Sequence, residues 1–246
     1  MKVDRTGEKR IMNCGMEAEI IEYKSWNDLV IKFENGYITK VKYYDGFKKG
    51  TIKNPYYPSV YNIGYLGETP TRENGKPLKS YKIWEAMIKR CYSKKSNINY
   101  PSYDKCEVCE EWLCYANFKN WYDENIYEIV DENICLDKDI LVENNKTYSP
   151  ETCIFVPEYI NKLFMGHKRN YELPKGIYET EYKKYQASIR IKGKNIYLGT
   201  FDTIEEASQS YYKAHLNYIK EVAEEYKNKI PEKLYNRLIE ISNKIN

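Results

Sequence analysis

Residues 184–203 read KYQASIRIKGKNIYLGTFDT. Polar and apolar residues alternate on both sides of Lys192, Gly193 and Lys194, and Thr203 is followed three residues later by Glu206. Alternation with period two marks a half-buried strand, glycine between two lysines marks a turn, and Thr-x-x-Glu opens a helix by reciprocal capping. The pattern predicts strands over 176–179, 185–192 and 195–199. A long helix then starts at Thr203, with an apolar stripe of Ala207, Tyr211, Ala214, Tyr218 and Val222. Successive strand side chains point to opposite faces. Tyr185, Ala187, Ile189 and Ile191, joined by Ile177, Ile196 and Leu198, therefore form one row, which the helix is placed to cover.

The other row is left open: Tyr178, Gln186, Ser188, Arg190, Lys192, Asn195 and Tyr197, with Lys183, Lys184 and Lys194 at the turns. Its only acidic neighbours are Glu179 and Glu181 at the edges. A β-ribbon enters the major groove of DNA, where Arg pairs guanine, Gln and Asn pair adenine, and Lys reaches phosphate. A lysine-rich chain also presents such faces to water alone, so the pattern by itself leaves both readings open.

The run GIYETEYKKYQASIRIKGKNIYLGTFDTIEEASQSYYKAH resembles the APETALA-two/ethylene-response-factor (ERF) DNA-binding domain over about 50 residues. The segments GIY, KYQASIR and YLGTFDTIEEA occur in order before an aromatic-and-alanine helix end. The resemblance implies a three-stranded sheet docked in the major groove of double-stranded DNA with a helix behind it. Arg190 and Gln186 are then assigned to base edges and Lys183, Lys184, Lys192 and Lys194 to phosphates, with Tyr178, Asn195 and Tyr197 supporting. Tyr178 stands where the family usually has arginine, Ser188 where plant members have an acid, and Tyr197 where they have tryptophan, so a plant-type target does not carry over.

Upstream, LDKDILVENNKTYSPETCIFVPEYINKLF (136–164) resembles the ββα-metal (HNH) endonuclease core of phage and mobile-element proteins, in which that core often precedes an ERF-type domain. Such a site needs a histidine base and metal ligands. Where the family has Asp-His this chain has Asp137 and Lys138, followed by Asp139, and Thr152 replaces a central Asn. Lysine of ordinary pKa is a poor base at neutral pH. The two histidines, His167 and His215, lie elsewhere. Three alternatives stay open: an inactive scaffold, a divergent homing-type nuclease in which Asp137 and Asp139 hold Mg²⁺ with Asn161, or a solvated turn at LDKD with no such kinship.

The rest of the chain sets the frame. Its 246 residues suggest several small domains: a small β-domain, SH3-like or a plain antiparallel sheet, over 1–68; an HNH-like α+β region over 81–166; the ERF-type unit over 172–228; and a terminal helix over 229–246. The class expected is α+β. Asn35-Gly36 reads as a two-residue hairpin, 67–80 as a linker, and EEWLCYANFKNWYDEN as one helix with Trp112, Tyr115 and Phe118 on its core face. Charge is uneven: residues 1–98 carry +8, 99–161 carry −10 and 162–246 carry +5. The basic ends are the candidates for touching nucleic acid. Without a signal-like or membrane-length apolar run, the chain reads as soluble and cytoplasmic with no membrane partner. Seven cysteines fit reduced thiols. Cys106 and Cys109 make half a zinc motif, with Cys114 nearby, but a second close pair is missing, so no resident cofactor is expected. A third role, an adaptor or inhibitor for an unidentified protein partner, is carried by the N-terminal β-domain and the acidic middle.

Overall fold

The computed structural model describes residues 3–93, 105–165 and 173–244. The fold is mixed α+β, with several small antiparallel sheets in two compact units, Met1–Asp123 and Glu124–Asn246. Among the described residues no helix is long and apolar enough to cross a membrane.

In the first unit β1 (Lys9–Ile11), β2 (Glu17–Ser25), β3 (Asp28–Phe33) and β4 (Ile38–Val41) pair in sequence order. Leu29, Ile31 and Phe33 alternate inward against Ala18, Ile20 and Val41, and Phe47 of α1 (Tyr44–Lys48) closes that core. The expected two-residue turn at Asn35-Gly36 is instead a three-residue loop. Gly36 N–H donates to Phe33 O, Phe33 N–H donates to Tyr37 O, and only Gly36 has positive φ, at 89°. A type I turn followed by a left-handed glycine gives that geometry.

The stretch expected to be a linker folds. β5 (Arg72–Glu73) and β6 (Lys76–Pro77) form a hairpin around Asn74 and Gly75, with φ of 49° and 75°. Two successive positive φ values define the turn that Asn-Gly favours. α2 (Lys79–Tyr92) then buries Trp84, Met87, Ile88 and Cys91. After the short β7 (Glu107–Val108), the expected single helix is two: α3 (Glu110–Leu113) and α4 (Tyr115–Asn125). The break falls at Cys114, which is extended and bridges Tyr65. Tyr65 N–H donates to Leu113 O, and Tyr115 N–H donates to Tyr65 O. Trp112, Tyr115 and Phe118 are nonetheless buried as their spacing required.

The second unit begins with β8 (Ile134–Asp137), the short β9 (Thr147–Tyr148) and β10 (Ile154–Pro157). β8 and β10 are antiparallel, and α5 (Glu158–Phe164) packs on both. A three-stranded antiparallel sheet follows, ordered β11 (Ile177–Glu179), β12 (Tyr185–Ile191), β13 (Lys194–Phe201). Then come α6 (Ile204–Tyr226) and α7 (Glu232–Ser242). α6 starts as the sequence requires: Thr203 Oγ1 accepts from Glu206 N–H while Glu206 Oε2 accepts from Thr203 N–H. Its first turns cover the sheet through Ala207, which is buried against Ile177 and Ala187 with Tyr211 alongside. Its later turns, through Leu216, Ile219 and Val222, enter a second core with Ile154, Val156 and Ile160. Leu234 and Leu238 of α7 complete that core. The stretches 136–164, 172–228 and 229–246, read separately from the sequence, thus contribute to one core.

Candidate nucleic-acid interface

Strand register decides which side chains share a face, because directly opposed residues of antiparallel strands point the same way. Ile177 opposes Ala187, Ile189 opposes Ile196, and Tyr185 opposes Phe201 on the helix side. Tyr178 opposes Gln186, Ser188 opposes Tyr197, and Arg190 opposes Asn195 on the other. A bulge lies between Ala187 and Ser188, making Leu198 the extra residue on β13. Gly199 beside it adopts φ of 136°, and pairing then resumes with Gln186 against Thr200. The strand therefore runs past its expected end at Gly199. Thr200 joins the open face, where its hydroxyl lies 2.8 Å from Tyr197 Oη. The alternating pattern skips one residue at a bulge, which is why it concealed Thr200.

β11 pairs with β12 only from Tyr185 to Ala187. Beyond it, β12 and β13 continue as a two-stranded ribbon to the tip at Lys192-Gly193, where both residues have positive φ, 46° and 82°. On the ribbon's open side Arg190, Asn195 and Tyr197 are exposed, Tyr197 to 60%. Arg190 Nε donates to Gly193 O at 3.3 Å, which holds the guanidinium along the ribbon. Tyr178 is exposed, and Gln186 and Ser188 are half-buried at the three-stranded base. Ile196, on the helix side, stays 43% exposed because it lies toward the ribbon's end.

The lysines divide into two groups. Lys192 is not on the open face: its turn conformation sends Nζ to Glu225 of α6, at 2.9 Å. Lys184 pairs with Asp202 at 2.9 Å. These hydrogen-bonded carboxylates hold both amines above their usual pKa range. No ion pair involves Arg190, Lys183 or Lys194 among the described residues. Lys183 occupies the preceding turn with φ of 56°.

Several polar groups of the 137–152 segment are engaged with one another. Asp137 Oδ1 accepts from Asp139 N–H at 2.8 Å and Ile140 N–H at 2.7 Å. Burial pushes its carboxyl above the usual range, against those hydrogen bonds. Lys138, only 5% exposed, turns inward and donates to Asp139 Oδ1 at 2.5 Å and to Asn145 O at 2.7 Å. Asn145 donates to Lys138 O and Thr147 O, and Thr152 Oγ1 donates to Thr147 O. Asn161 is half-buried on α5. Among the described residues no three or more His, Cys, Asp or Glu side chains gather as a metal site. His167 lies outside the described residues. His215 Nε2 donates to Leu163 O at 3.1 Å, and its burial lowers the ring's pKa. Comparison with family models, with curated proteins and with solved structures gives no match to this chain.

Proposed function

We propose that the chain binds double-stranded DNA by laying the open side of the β12–β13 ribbon in the major groove. The observation that carries this reading is the cross-strand pair of Arg190 and Asn195 on a two-stranded ribbon, with no carboxylate among the described residues paired to the arginine. Neighbouring strands lie about 4.8 Å apart and the groove is about 12 Å wide, so the ribbon enters with its side chains extended. Arg190 and Asn195 reach base edges, with Gln186 behind them. Lys183 and Lys194 contact phosphate, and Tyr178, Tyr197 and Thr200 fill the groove wall. Lys184 and Lys192 serve phosphate only by leaving Asp202 and Glu225.

The ββα order of β8, β10 and α5 supports a kinship of 134–164 with the HNH core. The bonding of Asp137, Lys138 and Asp139 within their own turn supports a scaffold in place of a Mg²⁺ centre there. The test is duplex selection followed by fluorescence anisotropy on the selected site. Arg190→Ala is expected to cost about 1–3 kcal/mol on that site and to relax sequence preference at one base pair. Equal affinity of wild type and Arg190→Ala for the selected duplex would refute the reading.

A further inference from the structure

We infer a second nucleic-acid site, on the four-stranded sheet of the first unit: a stacking platform for a base of single-stranded DNA or RNA. Trp26 occupies the turn joining β2 to β3, where Ser25 opposes Asp28, and is 65% exposed. An indole is a large apolar surface to leave in water, and this one does not hang loose. Its ring stacks on Tyr43, with centroids 5.6 Å apart and planes inclined by 21°. Tyr44 N–H donates to Trp26 O at 2.8 Å, tying the turn to the start of α1, and Ser25 Oγ donates to Asn27 Oδ1 at 2.6 Å within the turn. The ring is thus held in place before any ligand arrives. Tyr43 stacks on the indole, and both residues stay exposed, Trp26 to 65% and Tyr43 to 46%.

The surroundings select the occupant. Lys42 Nζ lies 5.5 Å from the Tyr43 ring centroid and has no ion pair among the described residues, while the exposed Lys24 bonds only to Glu22 of its own strand. A stacked indole–phenol pair with an amine over the Tyr43 ring suits a base with its phosphate, since stacking accepts any base and the amine offsets the backbone charge. A hydrophobic helix would ask instead for a groove lined by aliphatic side chains.

The full chain titrated with single-stranded oligothymidylate tests this, read by tryptophan fluorescence and by anisotropy of the labelled strand. Trp84 and Trp112 are fully buried and Trp121 partly so, which leaves Trp26 as the main reporter of a stacked base. Wild type is expected to bind with quenching, Trp26→Ala to bind about tenfold more weakly, and Trp26→Phe to fall between them. Lys42→Ala should weaken binding and flatten its salt dependence. Arg190→Ala should bind the single strand as wild type does, which separates this site from the duplex reader. Unchanged affinity in Trp26→Ala, or a loss seen only in Arg190→Ala, would overturn the inference. Failure of wild type to bind the oligonucleotide would overturn it too and leave a protein as the platform's occupant. If Trp26→Ala loses its native circular dichroism, Trp26→Phe and Lys42→Ala decide.

Discussion

Replacing Gly176 by alanine probes the joint on which the three-stranded sheet rests against α6. Gly176 has φ of 79°, and its carbonyl accepts the Ser188 N–H at 2.9 Å just before β11 begins. A Cβ at that position would lie 2.3 and 2.4 Å from Cδ2 and Cε2 of Tyr211 and 2.6 Å from Ser188 O. Left-handed backbone costs a non-glycine residue about 1–2 kcal/mol. Forcing a methyl into packed atoms costs about 1–3 kcal/mol more, so the total expected is about 2–5 kcal/mol. Urea unfolding followed by far-UV circular dichroism should show that loss as a lower midpoint at unchanged slope. Tyr211→Ala in the same chain removes the ring but neither the carbonyl nor the dihedral. The double-mutant cycle should then return a coupling of about 0.5–3 kcal/mol. A Gly176→Ala protein destabilised by less than about 0.5 kcal/mol would refute the packing argument, since both terms exceed that value.

Two further predictions concern stability. Thr203→Ala removes one half of the capping box on α6 and should cost about 1 kcal/mol in the same unfolding assay, with Thr203→Ser restoring most of it. Burial raises the Asp137 carboxyl, so the native state holds that proton more tightly than the unfolded chain does. The resulting stabilisation is complete below the ordinary value near about 3.9 and is lost as pH rises through the folded value. Asp137→Asn keeps an oxygen for the Asp139 and Ile140 amides and cannot titrate. It should therefore gain on wild type as pH climbs from about 3 to about 6, while Asp137→Ala, stranding both amides, should lose about 1–3 kcal/mol at every pH. Parallel stability curves for wild type and Asp137→Asn would contradict this.

The C-terminal strands and helix were legible because three local signals agree there: alternation through Tyr185 to Ile191, glycine at the turn, and Thr203 with Glu206 at the helix start. The departures come from features that local pattern does not encode. The bulge at Leu198 shifts the alternation by one and concealed Thr200. Lys192 sits at an alternating position, yet its positive φ turns it toward Glu225, a residue 33 positions away that no spacing rule connects with it. Asn74-Gly75 carries a strong hairpin signal, but two-residue strands lack the alternating run that would mark them. Cys114 interrupts a helical stripe because tertiary hydrogen bonds to Tyr65 outweigh continuation of the helix. At the middle segment, that no histidine stands among residues 137–152 was visible directly. The inward turn of Lys138 was not, since lysine is among the residues least often buried.

The 23 residues of α6 extend about 35 Å, and the two ends of the helix serve different masters. At the hairpin tip Lys192 reaches Glu225, on turns of α6 that are themselves wedged among Val156, Ile160 and Leu234. The three-stranded module is therefore not a transplantable cassette: excised as residues 172–228 it would lose Ile154, Val156 and Ile160 on one side and Leu234 and Leu238 on the other, leaving Leu216, Ile219 and Val222 without the neighbours that bury them.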